Sequence, residues 1–112
     1  MLGAIFSEEN KYNESIKWHT KAIKINPNYA EGYNNLGAVL QKLGKLDEAI
    51  KNFKQAIKLK RTFAKAYSNL AISLTDQKKF DQAIKICQQA IKINPYFFEA
   101  HKNLGDIFFK FG

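Results

Sequence analysis

Residues 30–63 read AEGYNNLGAVLQKLGKLDEAIKNFKQAIKLKRTF, and the rest of the chain is built from versions of this stretch. Leu36 recurs as Leu70 and Leu104, each time after 34 residues, and one step upstream stands Leu2. The same step links Ala22, Ala56 and Ala90, then Ile16, Ile50 and Ile84, then Asn35, Asn69 and Asn103. No insertion or deletion interrupts it. A fixed period of this size marks a stacked array, in which each unit buries its apolar face against its neighbours.

Inside the stretch, Tyr33, Leu36, Gly37, Leu40 and Leu43 follow one helical stripe, and Glu31, Asn34, Asn35, Gln41 and Lys42 follow another. This is an amphipathic helix. Gly44-Lys45 ends it, with Asp47 as N-cap or first-turn acid of a second helix that turns Ala49, Ile50, Phe53, Ala56 and Ile57 inward. The unit is a helical hairpin. Residues 1–29 then hold the tail of a first helix, a turn at Asn10-Lys11 and a helix from about Asn13 to Ile25, stopped by Asn26-Pro27. Ala64–Gln77 and Phe80–Ile93 form the next hairpin, turning at Lys78-Lys79 without a glycine, and Phe97–Phe111 is a first-type helix without a mate. Arg61 stands where Pro27 and Pro95 stand elsewhere, which predicts a less rigid junction.

These residues carry a resemblance. Tyr33-x-x-Leu36-Gly37-x-x-Leu40 followed by Ala49-x-x-x-Phe53 is similar to the tetratricopeptide repeat, and Tyr67-x-x-Leu70-Ala71-x-x-Leu74, with Ala83-x-x-x-Cys87 and Pro95, repeats it. Leu2-Gly3-x-x-Phe6 with Ala22 and Pro27 is a copy lacking its start, and His101-x-x-Leu104-Gly105-x-x-Phe108 opens another. The resemblance implies an all-α, right-handed helical solenoid of about seven antiparallel helices. Its divisions would be a partial repeat at 1–29, repeats at 30–63 and 64–97, and a first helix at 98–112. With no capping helix at either end, a cut-out of a longer array is expected.

Composition fits a single soluble domain: 112 residues, 46% hydrophobic and 25% charged. No run reaches the length of a membrane span, and the apolar opening is cut short by Ser7-Glu8-Glu9, so a cytoplasmic location is expected. The single cysteine, Cys87, excludes an intrachain disulfide. It shares the column of Phe53, as does His19, while His101 shares that of Tyr33 and Tyr67; packing is the expected role of all three. Without a second histidine or cysteine at ligand spacing, and without a glycine-rich phosphate loop, no metal, cofactor or catalysis is expected.

Binding is the remaining class. The resemblance places the first helices on a concave groove that holds extended peptides or partner helices, and the expected contact set is Asn34, Asn35, Gln41, Lys65, Asn69, Ile72, Lys102, Asn103, Asp106 and Phe109. Family members that bind chaperones clamp a C-terminal carboxylate with lysine, arginine and asparagine. Asn69 and Lys102 match parts of that pattern, but Asn34 and Ala38 depart from it and Asp106 would repel the carboxylate. The column Asn35, Asn69, Asn103 is similar to the asparagine ladder in the tetratricopeptide domain of O-linked N-acetylglucosamine transferases, which grips extended polypeptide; packing between helices is the competing role for it. A side-chain amide both donates to and accepts from a peptide backbone.

The net charge of +8 lies elsewhere, because groove lysines and acids balance. Lys17, Lys51 and Lys85 form one column on the second helices and Lys24, Lys58 and Lys92 another. They make a basic surface for nucleic acid or an acidic membrane the alternative reading, with solubility as the commoner use of such columns and nucleic acid disfavoured by the lack of interleaved aromatics. A further alternative is the non-catalytic part of a larger enzyme such as a glycosyltransferase. Finally, Leu104, Phe108 and Phe111 lie on the inward stripe of the unmated helix, which predicts self-association into a homo-oligomer.

Overall fold

The computed structural model describes the backbone from Leu2 to Phe111 and the side chains from Asn10 to Phe109. Six helices follow in order: α1 (Leu2–Ile25), α2 (Ala30–Lys42), α3 (Leu46–Leu59), α4 (Ala64–Asp76), α5 (Phe80–Ile93) and α6 (Phe98–Phe111). There is one helix fewer than the repeat pattern predicts, because α1 runs through Asn10-Lys11 without turning. Where the hairpin turns do form, Gly44 and Lys78 have φ of 79° and 64°. Asn10 occupies the same column and stays helical; with neither glycine nor proline nearby, continuing the helix is locally cheap.

Both turns close alike. The Lys45 N–H donates to the Leu40 carbonyl at 2.9 Å and the Lys79 N–H to the Leu74 carbonyl at 2.9 Å, each reaching back five residues as a left-handed cap requires. Lys45 is the N-cap of α3, so Asp47 serves as a first-turn acid rather than the cap. Between hairpins, the Asn28 N–H donates to Asn26 Oδ1 at 3.3 Å and the Tyr96 N–H to Asn94 Oδ1 at 3.2 Å. The junction at Arg61 lacks that side-chain acceptor yet closes the same backbone bonds, Lys60 N–H to Ala56 O and Phe63 N–H to Lys60 O. Lys60 adds an exposed ion pair with Glu31 at 3.3 Å and lies 5.1 Å above the Phe63 ring.

The core is one continuous cluster containing Leu36, Leu40, Ala49, Ile50, Phe53, Leu70, Ala71, Leu74, Ala83, Cys87 and Ile107. Full burial of a side chain such as Phe53 stabilises by about 1.5–3 kcal/mol. On α6 the buried residues among those described are Ala100 and Ile107, of which Ile107 joins the core cluster. Leu104 is half-buried and Phe108 is 56% exposed, whereas their counterparts Leu70 and Leu74 are buried beneath α5.

The layers differ in spacing. Among the described residues the backbones of α2 and α4, and of α4 and α6, approach within 8 Å at Cα, but those of α3 and α5 do not. First-type helices therefore form the inner, concave layer, and α1, α3 and α5 splay apart on the convex side.

Candidate functional site

The inner layer begins with a polar seam rather than an open row. Asn34 is only 4% exposed, and its Oδ1 accepts a 3.0 Å bond from Asn69 Nδ2. One repeat later Ser68 takes the place of Asn34, and Asn103 Nδ2 donates to its hydroxyl at 2.8 Å and its carbonyl at 3.2 Å. Gln41 Nε2 bridges the same helices, donating to the Asn69 carbonyl at 3.0 Å and to Ser73 Oγ at 2.8 Å. Buried amides need such partners, and these supply them across the repeat boundary.

This arrangement corrects one expectation. Asn34 lies beneath the groove surface and binds Asn69, so it does not face a ligand; the reason is its place on the flank of α2 that packs on α4. The amide nitrogens of Asn69 and Asn103 are committed to the seam as well, with both residues half-buried. Asn35 is exposed. The seam was not read from the sequence, although a polar residue at 34 and 68 preceding each asparagine by 35 residues was a usable signal.

Between α4 and α6 the inner layer opens into a depression of about 110 Å³, lined by Ile72, Thr75, Asp76, Asn103 and Asp106. Ile72, Asn103 and Asp106, expected at the groove from sequence, meet here; Thr75 and Asp76 join them. The Thr75 hydroxyl donates to the Ala71 carbonyl at 2.8 Å, which leaves its oxygen able to accept. Asp76 and Asp106 are exposed and make the depression acidic. Lys65 and Lys102 are exposed on the same two helices, and Phe109 is 90% exposed at the end of the row.

The remaining candidates take structural places. His101 is exposed rather than packed, and its Nε2 lies 2.7 Å from the Pro95 carbonyl. It thereby copies Tyr67, whose hydroxyl donates to the Arg61 carbonyl at 3.2 Å, each partner six residues upstream. Cys87 is buried, and burial pushes its thiol up to about 11, away from nucleophilic chemistry at neutral pH. The carboxyl of Glu31 is held below its usual range, first by a backbone N–H at its own helix start and then by Lys60. Among the described residues no group of three or more His, Cys, Asp or Glu could hold a metal, and no helix is long and apolar enough to cross a membrane. The side chain of Phe111 lies outside the described residues.

Several known structures resemble the chain. The first TPR of Spaghetti (RPAP3), bound to the HSP90 peptide SRMEEVD, has a TM-score of 0.83 at 27% identity over 94% of this chain and 83% of that one. The second TPR domain of human RPAP3, in complex with the HSP70 peptide SGPTIEEVD, has a TM-score of 0.82 at 27% identity over 94% and 88%. MamA has a TM-score of 0.83 at 26% identity over 100% and 66%. Comparison with curated protein sequences finds no match. The model described as TPR repeat matches residues 3–44, and that described as Tetratricopeptide repeat matches 30–63 and 64–97. The chain is a member of the tetratricopeptide repeat family.

Proposed function

We propose that the chain is a non-catalytic protein-binding module of the cytoplasm, with 30–63 and 64–97 as complete units between partial ones, that holds an extended peptide along α2, α4 and α6. The depression at Ile72, Asp76, Asn103 and Asp106 carries this reading. It lies on the concave layer, it joins two consecutive repeats, and its lining combines an apolar wall with acceptors. The peptide complexes of the RPAP3 domains support the same use of the fold.

The ligand differs in charge from those two peptides, however. An acidic terminus such as that of SRMEEVD would meet Asp76 and Asp106, and like charges at close range disfavour it. A peptide with a lysine or arginine fits better: Ile72 packs its stem while the two aspartates and the Asn103 oxygen receive its head. Asn35, Lys65, Lys102 and Phe109 would contact the peptide on either side. Each hydrogen bond nets about 0.5–1.5 kcal/mol against the cost of ordering the chain, so affinity from this short groove is modest.

Fluorescence polarisation with labelled peptides tests the reading. Basic extended peptides should bind, SRMEEVD should bind less well, and Asp76→Asn with Asp106→Asn should weaken the basic peptides about tenfold or more. Tighter binding of the acidic peptide, or indifference to both substitutions, would overturn it.

Self-association through α6 is a second reading, favoured by the exposure of Phe108 and the uncovered flank at Gly105, where an added Cβ would meet nothing within 4 Å. Light scattering over a dilution series tests this reading. A monomer at high concentration, unaltered by Phe108→Glu and Phe111→Glu, would exclude it.

A further inference from the structure

The convex layer has a charge pattern that helix stability accounts for only in part. In residues 17–25, 51–59 and 85–93 there are eight lysines and not one aspartate or glutamate. The acids of these helices, Glu8, Glu9, Glu14, Asp47, Glu48 and Asp81, all precede those segments. Lys24, Lys58 and Lys92 lie in last turns, where a cation complements the helix dipole. Lys17, Lys51 and Lys85 lie mid-helix, one turn after Glu14, Glu48 and Asp81, a spacing that supports the helix, but none of the three closes an ion pair among the described residues. All six are exposed, and the Lys60–Glu31 pair is the one ion pair among the described residues.

Solubility does not explain the face either, because apolar groups stand among the lysines. Trp18 is 60% exposed with Lys21 Nζ 5.2 Å from its ring centroid. Ile25 at the end of α1 is 85% exposed, and Tyr96, just beyond α5, is 93% exposed. Between the splayed α3 and α5, Lys54 and Lys85 line opposite walls of a groove of about 250 Å³ whose lining includes Leu70, Leu74 and Ile86. Cations thus flank an apolar floor.

We propose that the convex face docks on an anionic lipid surface, with the lysine columns on the phosphate and carboxylate headgroups and Trp18 and Ile25 entering the interfacial region. Lysines near such a surface contribute additively, and tryptophan and tyrosine partition to the boundary between headgroups and acyl chains. Nucleic acid fits less well. The column of Trp18 continues as Asn52 and Ile86, so no row of aromatics offers a stacking platform, and Arg61 is the sole arginine. This surface is separate from the peptide groove, and either assignment stands without the other.

Trp18 is the only tryptophan, so its emission reports directly on this face. The chain is titrated with vesicles of phosphatidylcholine alone and of phosphatidylcholine with phosphatidylserine, following tryptophan emission and co-sedimentation. Binding and a blue shift are expected with the anionic vesicles only, weakened by added salt. Lys51→Gln and Lys85→Gln should each lower the affinity about fivefold, and Trp18→Ala should lower it with an unchanged far-ultraviolet circular dichroism spectrum. Asn35→Ala, on the other face, should change nothing. The proposal is overturned if anionic vesicles neither shift the emission nor sediment the protein, or if binding ignores the lysine substitutions. It is equally overturned if a single-stranded RNA homopolymer binds more tightly than the vesicles.

Discussion

A Cβ placed on Gly37 would lie 2.6 Å from Cε1 and 2.8 Å from Cδ1 of Phe53, so the ring occupies the space that any other residue would fill. One repeat later the same two positions hold Ala71 and Cys87, a larger residue facing a smaller one. Gly37→Ala should therefore destabilise the fold by about 1–3 kcal/mol, and Phe53→Cys by about 3 kcal/mol or more. The double variant reproduces the pairing of the next repeat and should cost clearly less than the two added. Urea denaturation of all four proteins measures the coupling.

Gly105 occupies the same column as Gly37, but an added Cβ there meets nothing within 4 Å. Gly105→Ala should stabilise by up to about 1 kcal/mol through helix propensity alone. Opposite signs for one substitution at two equivalent positions would be read directly from thermal denaturation midpoints.

Lys78 pays for a left-handed backbone that glycine adopts freely. Lys78→Gly should stabilise by roughly 0.5–1 kcal/mol, since relief of strain exceeds the added chain entropy. Gly44→Lys should destabilise by about as much, and chemical denaturation resolves both.

The asparagine column divides into two roles. Asn103→Ala removes bonds to Ser68 across the repeat boundary and should cost about 1–2 kcal/mol, with Asn69→Ala similar. Asn35→Ala, at an exposed position, should stay within about 0.5 kcal/mol. Equal losses at all three positions would contradict the division.

Cys87 makes stability depend on alkaline pH. Its folded thiol is raised to about 11 from the ordinary 9.0, so the unfolded chain releases a proton first as pH climbs. The contribution is intact below pH 9 and is lost between about 9 and 11, reaching roughly 2–3 kcal/mol in the limit. Stability of the wild type relative to Cys87→Ala should fall across that window, and thiol alkylation at pH 8 should be slow until the chain is unfolded.

Much of the architecture was legible because repetition amplifies weak signals: Leu36, Leu70 and Leu104 recur at one spacing on the same face of successive first-type helices. The straight α1 was not legible, since Asn10 is permitted in a turn but does not compel one as Gly44 does. The 34-residue period also concealed the polar seam, where Asn69 and Asn103 reach back 35 residues and so join neighbouring columns. Asn34 and Asn35 look alike in sequence; only the helix phase buries one and exposes the other. Of the site, Ile72, Asn103 and Asp106 were foreseeable as groove residues, but their meeting with Asp76 depends on how α6 packs on α4.

The unequal spacing of the two layers has a mechanical consequence. Neighbouring repeats are held together chiefly where α3 packs on α4 and α5 on α6, with lighter contact between the first-type helices and none at the backbone between α3 and α5. With no backbone contact across it, the gap between α3 and α5 is the part of the array least held in place. The separation of Lys54 from Lys85 is therefore expected to respond to bending before the bond from Asn103 to Ser68 does, and a distance probe across the outer groove would read that difference.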